Sequence, residues 1–380
     1  MRRPRNVPAN IPATTTVKPT AQSTTKSTTK SAAKSAAKSV ANPPKVTIEV
    51  VAKRAGVSKG LVSFALNNRP GVAPETRVRI LQVAKELGWK PSLRARSLST
   101  QRSYALGLVI ARNPDVLASD PFFPSFIAGV ESILAPEGRA LVLSVVPDEE
   151  TELKTYRSLV ADGRVDGVFL SDLRHGDPRI PLLAELGLPA VTLGRPDGPS
   201  PFPAVTVDDT PGVMASVAHL ATLGHRRIAH VAGSSTLLHG SRRRAAFAAA
   251  LREAGLPEGQ TVETDFSVGA GSDATRRLLI QDTPPTAIVY ANDPMAIAGL
   301  GMAHELGVRV PDDLSITGYD DIDFCRYVYP PLTTVSAAPM AWGRAAASTL
   351  LALMENGSAD DVDLPAARLV VRGSTAPPHG

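Results

Sequence analysis

Residues 46–90 read VTIEVVAKRAGVSKGLVSFALNNRPGVAPETRVRILQVAKELGWK. The stretch breaks into three short helical segments. Thr47 suits an N-cap ahead of IEVVAKRA, and Glu49 in the first turn favours the positive end of that helix. Gly56 supplies a stop, and Ser58 caps the next segment, KGLVSFALNN. Asn68-Arg69-Pro70-Gly71 is a turn signal; Pro74 then opens a third helix and Gly88 ends it. Val78, Ile80, Leu81, Val83, Ala84 and Leu87 are expected on the apolar face of that third helix. The small Ala52 and Ala55 let the first two helices approach, with Val57 and Val62 turned inward. This is the pattern of a helix-turn-helix, whose second helix enters the major groove of DNA.

The flanks are basic. Residues 1–103 hold 20 Lys and Arg against 3 Asp and Glu, whereas residues 104–380 hold 21 against 33. The net charge of +5 therefore hides a chain whose first part is built to meet a polyanion and whose remainder is not. Residues 1–44 are low in complexity, with near-repeats STTKSTTK and SAAKSAAKS, and lack the apolar content to offset ordering entropy. They are expected to be a disordered basic tail, either a tolerated extension or a sequence-blind DNA-binding arm. Residues 91–102, PSLRARSLSTQR, form a basic connector whose one short helix is too short to be stable alone.

From residue 104 the pattern changes. Apolar runs ALGLVI, ALVLSV, DGVFL, PAVTL, AVTVD, RRIAHVAG, TAIVYA and LSITGYD alternate with helical stretches of nine to seventeen residues, which predicts parallel sheets flanked by helices. Eight strands over this length exceed one simple sheet, so two sheet subdomains are expected, with ligand in the crevice outside their strand C-termini. The expected fold is an all-α helix-turn-helix headpiece plus an α/β core of two parallel-sheet subdomains. No apolar run reaches membrane-spanning length, and the basic N-terminus has no apolar segment behind it to make a secretory signal. The one cysteine, Cys325, excludes a disulfide framework and suits the reducing cytoplasm.

The string from Val46 to Ser99, VTIEVVAKRAGVSKGLVSFALNNRPGVAPETRVRILQVAKELGWKPSLRARSLS, resembles the headpiece and hinge of LacI/GalR-family transcriptional regulators. Downstream, DPFFPSFIAGVESIL, VDGVFL, LGHRRIAHVAG, RRRAAF, VYANDPMAIAGL, VRVPDDLSITGYDD and PPLTTV are similar to that family's effector domain, so the likeness spans roughly residues 46–373. The resemblance implies a homodimer whose headpieces (46–90) read a pseudo-palindromic double-stranded DNA operator, joined by a hinge helix (91–102) to a periplasmic-binding-protein-like core (104–373). That core would bind a small-molecule effector, a sugar or related polyol, and switch operator affinity, most simply as a repressor.

By the same resemblance Thr47, Ser58, Lys59, Gly60, Ser63, Phe64 and Asn67 lie on the DNA-reading surface, Arg94 on phosphates, and Leu98 as a minor-groove wedge. Gly60 departs from the family by having no side chain to read with, Phe64 stands where a polar reader is common, and Val50 replaces the Asp that would complete a capping box with Thr47. Phe64 can touch a thymine methyl or face the core. Phe122, Phe123, Arg243, Phe266, Asn292 and Asp320 match effector-contacting positions, where a guanidinium and a carboxylate in one cleft suit a polyol. Asp293, before Pro294, is expected to cap a helix. Homodimerisation is expected; the residues after Gly373, STAPPHG, lack leucine heptads of the kind that assemble a tetramer, and the sequence leaves the existence of a tetramer open.

Two other classes fit parts of the chain. A soluble small-molecule binding protein would need only the core. An NAD-linked oxidoreductase would use Gly269-x-Gly271-x-x-Ala274 as a dinucleotide turn and Asp293 as the ribose acid. The headpiece argues against both. No zinc-protease motif or P-loop is present, and neither cofactor nor metal is expected.

Overall fold

The computed structural model describes residues 46–67, 69–89, 100 and 102–379. They divide between Lys90 and Pro91 into two compact units. The expected tail (1–44) and almost all of the expected hinge, with Arg94 and Leu98, lie outside the described residues.

In the first unit α1 (Ile48–Ala55), α2 (Lys59–Leu66) and α3 (Pro74–Glu86) pack around Val51, Ala52, Ala55, Val62, Ala65, Ile80 and Ala84. Gly56 takes a left-handed conformation (φ 65°), which turns the chain sharply into α2. Ser58 caps α2 through its hydroxyl, which accepts from the Leu61 amide at 3.2 Å. Thr47 occupies the cap position of α1 but its side chain makes no capping bond; its carbonyl accepts from the amides of Val50 and Val51 instead. One expectation fails on α3. Val78 and Leu81 are 67% and 45% exposed, because Ile80, Val83, Ala84 and Leu87 form the inward stripe by themselves and two further residues cannot share it.

The second unit has two lobes. β1 (Ala105–Ala111), α4 (Pro114–Ser119), α5 (Phe122–Leu134), β2 (Ala140–Val146), α6 (Glu149–Ala161), β3 (Gly167–Leu170), α7 (Arg179–Glu185), β4 (Ala190–Leu193) and β5 (Ala204–Thr206) form the first. α8 (Thr210–Thr222), β6 (Ile228–Ala232), α9 (Leu238–Glu253), β7 (Thr261–Glu263), α10 (Val268–Leu279), β8 (Ala287–Tyr290), α11 (Asp293–Glu305) and β9 (Ser315–Thr317) form the second. The chain ends with β10 (Thr334–Ser336), α12 (Pro339–Asn356), β11 (Val362–Asp363) and β12 (Arg368–Val370).

One sheet runs β11-β5-β4-β3-β1-β2 and the other β7-β6-β8-β9, every pairing parallel, while β10 and β12 pair antiparallel. The central strands β3, β4, β6 and β8 are buried along their whole length, as strands covered on both faces must be, and this explains sequences that are apolar except for Thr192 in β4 and His230 in β6. α12 returns to the first lobe, where Ala346, Ala347 and Leu350 pack with Phe126, Val130 and Phe169. The chain thus passes between lobes at 206–210, at 336–339 and at 363–368. Trp342 Nε1 donates to the Val205 carbonyl at 2.8 Å, tying the second crossing to the first.

Candidate functional site

Two surfaces carry the chemistry. In the headpiece, Lys59 begins α2 and pairs with Glu49 of α1. Phe64 is 42% exposed rather than core-facing, and Arg69 lies 5.7 Å over its ring. A Cβ at Gly60 would meet nothing nearer than Ser58 Oγ at 3.9 Å, so packing does not require glycine there. The Asn67 amide donates to Ser63 Oγ at 3.4 Å.

In the core unit, a cavity open at its mouth lies where the C-terminal ends of the two sheets face each other. The first lobe contributes Arg112 just after β1, Asp120 and Phe122 at the head of α5, Ser171 and Asp172 just after β3, and Leu193 at the end of β4. The second contributes His239 and Arg243 from α9, Phe266 after β7, Asn292 after β8 and Asp320 after β9, and Trp342 of α12 completes the wall. Phe266 and Asp320 hold positive φ (70° and 115°), a strain that non-glycine residues bear when a site fixes them. Phe266 has room only because residue 233 is glycine: a Cβ there would sit 1.8 Å from the ring.

Charges in the cavity are paired in a particular way. Arg112 donates to both oxygens of Asp172 at 2.6 and 2.7 Å and to Asp120 at 2.9 Å. Burial raises the Asp172 pKa, but the Arg112 guanidinium outweighs it and holds the carboxyl at about 2. Burial dominates at Asp120, whose pKa stays raised despite Arg112. Arg243 reaches Asp209 at 3.2 Å and the Ala291 carbonyl at 2.8 Å, and its guanidinium lies 3.6 Å from the centre of the Tyr319 ring. The Tyr319 hydroxyl donates to Asp209. Asp320 has no side-chain hydrogen bond to any described residue, and burial pushes its pKa well up against the pull of Arg243. Asp293, Asp120 and Asp209 push it the same way. Burial, helped by Arg243, holds His239 down at about 4, so its ring is neutral at pH 7 and offers one donor and one acceptor.

Beside the cavity the lobes are clasped. Leu238 of α9 is 3% exposed and packs with Tyr156, Leu159, Leu173 and Leu183 of the opposite lobe. Its amide donates to the Leu173 carbonyl at 2.8 Å, Arg174 and Leu237 form an antiparallel bridge, and Arg242 donates to the Arg195 carbonyl at 2.6 Å. The loop that receives α9 is held by buried Arg179, which bonds Asp177, Glu152 and the Asp172 carbonyl. His175 lies between Asp197 (2.9 Å) and Ser241 (3.1 Å). That order of groups resembles a hydrolytic triad, but Ser241 Oγ also donates to the Leu238 carbonyl of its own helix, and the trio links the two lobes.

Residues 47–92 match the family model described as bacterial regulatory proteins, lacI family, and residues 217–375 match a periplasmic binding protein-like domain. The transcriptional regulator CelR of Thermobifida fusca is 34% identical over 311 residues, 80% of this chain and 91% of the relative. The chain belongs to the LacI family of transcriptional regulators. Escherichia coli CytR, a transcriptional repressor, is 32% identical over 340 residues, 87% of this chain and 96% of that one. Among solved structures, a CelR–cellobiose complex (32% identity) superimposes with a TM-score of 0.66, and a lac repressor dimer bound to operator and the anti-inducer ONPF (29% identity) with 0.73. Each covers 87% of this chain and 99% of its own.

This LacI-family member is a regulator and not an enzyme, which removes the oxidoreductase reading. The glycine pattern has a packing reason instead. Gly269 and Gly271 lie inside α10, not in a strand-to-helix turn, and a Cβ on Gly271 would come within 2.6 Å of Met295 Cβ on α11. Asp293 is fully buried, its carboxylate accepting from Thr334, Cys325 and the Ile322 amide. It does not cap α11; Asn292 does, accepting from the Met295 amide at 3.0 Å while donating to the Phe266 carbonyl at 3.1 Å. Asn292 thus lines the cavity with its side chain already engaged.

Of the six expected effector residues the structure brings Phe122, Arg243, Phe266, Asn292 and Asp320 together around one cavity. Phe123 is instead buried in the first-lobe core, edge-on to Phe122 and 5.2 Å beneath the Arg112 guanidinium. Sequence reasoning missed Arg112, Asp120, Asp172, His239, Trp342 and the supporting Asp209. The rule that ligands sit past strand C-termini was a usable signal for Arg112 and Asp172, which directly follow β1 and β3. Among the described residues no helix is long and apolar enough to cross a membrane, and no cluster of acids, His and Cys is placed to hold a metal.

Proposed function

We propose that this regulator represses transcription as a cytoplasmic homodimer, and that a neutral, polyhydroxylated ligand of the sugar class in the core cavity switches its operator affinity. The observation that carries the ligand class is the charge arrangement. Both guanidiniums already face carboxyl groups, Arg112 those of Asp172 and Asp120, Arg243 that of Asp209, while the Asp320 carboxyl, its pKa pushed well up by burial, faces the cavity without a side-chain hydrogen bond to a described residue. Such a site leaves no unpaired guanidinium to neutralise an anion. It accepts hydroxyl protons at Asp320, offers spare guanidinium donors and the neutral His239, and lays Phe122, Phe266 and Trp342 against apolar ring faces.

A thermal-shift screen of the full chain against sugars, polyols, nucleosides and their phosphorylated forms tests this, since a ligand of the native state raises its melting temperature. Neutral sugars or polyols should raise it. Arg243→Ala should abolish the shift and the effect of that compound on operator binding while leaving operator affinity itself intact. Stabilisation by phosphorylated or acidic compounds alone would overturn the reading.

In the headpiece (46–90) α2 serves as the base-reading helix, with Thr47, Ser58, Lys59, Ser63, Phe64 and Asn67 at the DNA surface and Gly60 leaving the groove open. In the hinge (91–102) Arg94 meets phosphate and Leu98 wedges the minor groove, and residues 1–44 act as a sequence-blind electrostatic arm. The core (104–373) binds the ligand and the second copy.

A further inference from the structure

We infer that Glu49 is a specificity-determining residue of the headpiece, acting with Lys59 as a donor–acceptor pair matched to one G·C base pair in each half-site. The inference rests on α2 being the helix that enters the major groove. Glu49 belongs to the first turn of α1, yet its carboxylate accepts a hydrogen bond from Lys59 Nζ at the head of α2. The contact carries an acid across the helix-turn-helix to the end of α2 that meets base edges in this motif.

Three features make that end depend on the pair. Ser58 Oγ is engaged by the Leu61 amide, Gly60 has no side chain, and the space above Gly60 is open. Lys59 and Glu49 are therefore the long polar side chains there, and both are well exposed, at 60% and 63%. An exposed ion pair adds little to folding stability, so stability does not account for an acid at this place. Electrostatics argues against one: residues 1–103 contain only Glu49, Glu75 and Glu86, and a carboxylate facing phosphates weakens binding to every sequence alike unless it finds a donor. In the major groove the donors are the amino groups of cytosine and adenine, and the best lysine acceptors are guanine O6 and N7. A G·C pair presents both at once, guanine to the ammonium and cytosine N4 to the carboxylate. Against a pair that offers no amino group within reach, the carboxylate is left desolvated and unpaired, which is a repulsive element of specificity.

The test is selection from a random DNA pool with the full-length wild type, Glu49→Gln, Glu49→Ala, Lys59→Ala and the Glu49→Gln/Lys59→Ala double variant, followed by affinity titrations over a range of salt. The wild type should enrich a symmetric motif with a fixed G·C pair in each half-site. Either Glu49 variant should relax that one position by about tenfold. The same variants should bind random DNA more tightly, and the two substitutions should be non-additive at the G·C position. Uniformly tighter binding with unchanged base preference would overturn the inference, leaving Glu49 as a plain charge. Enrichment of no motif by the wild type would overturn the headpiece reading itself, and the inference with it.

Discussion

Asp172 shows what one buried charge does in this core. Its pKa of about 2 lies below the ordinary 3.8 because Arg112 overcomes the cost of burial. A folded-state value below the unfolded one adds stability that is complete above about pH 5 and lost as pH falls through about 4 towards 2. The gap is worth roughly 2 kcal/mol. Urea unfolding of wild type and Asp172→Asn should therefore differ most near neutrality and converge in acid; a difference constant from pH 7 to pH 3 would show that Arg112 does not stabilise the ionised form. The residue also marks where sequence reading stops. Arg243, Asn292 and Asp320 stand in strings distinctive of the family, whereas Asp172 stands in LSDLRH, where nothing separates a cavity acid from a loop acid until β3 is seen to end at Leu170. His239 is harder still, because it reaches the cavity only through the docking of α9, a contact between residues far apart in sequence.

Strands were legible where an apolar run surrounds them, even at three residues as in β5 and β9. The eight apolar runs correspond to β1–β6, β8 and β9, while β7, β10, β11 and β12, with two or three residues each, carry no periodicity to read. α9 holds a lesson that periodicity cannot teach. Its later turns, with Phe247, Ala250 and Leu251, pack into the second lobe, but its first residue, Leu238, is buried in the first. His239 and Arg243 follow on the same helix, so the clasp at Leu238 fixes where two cavity residues stand. Leu238→Ala should destabilise the core by roughly 2–5 kcal/mol, the usual cost of emptying such a site. Hydrogen exchange should also accelerate selectively at 171–177 and 237–243. Destabilisation with unchanged relative protection of those two segments would make Leu238 ordinary core filling and not a clasp between lobes.

For the whole molecule, the homodimer proposed above has two exposed apolar patches through which to assemble. β2 is the edge strand of its sheet and reads ALVLSVV, yet Leu143 and Val145 are exposed, and an apolar edge is a template for association. On the other lobe Phe324, Tyr327 and Tyr329 project into solvent, Tyr329 at 94% exposure. Two apolar patches, one on each lobe, mean that a partner covering both would sense any change in the angle between lobes, which is how a ligand in the cavity could alter the spacing of two headpieces. Neither patch was singled out from sequence, because each reads as ordinary core. The double substitution Leu143→Lys/Tyr329→Glu should halve the mass seen by light scattering while leaving circular dichroism and the ligand-induced thermal shift intact, since the cavity lies within one chain. Operator affinity should fall by about a hundredfold or more, because two headpieces lose the advantage of being joined. An unchanged mass would place the dimer contact elsewhere, and a monomer with wild-type operator affinity would show that one headpiece suffices.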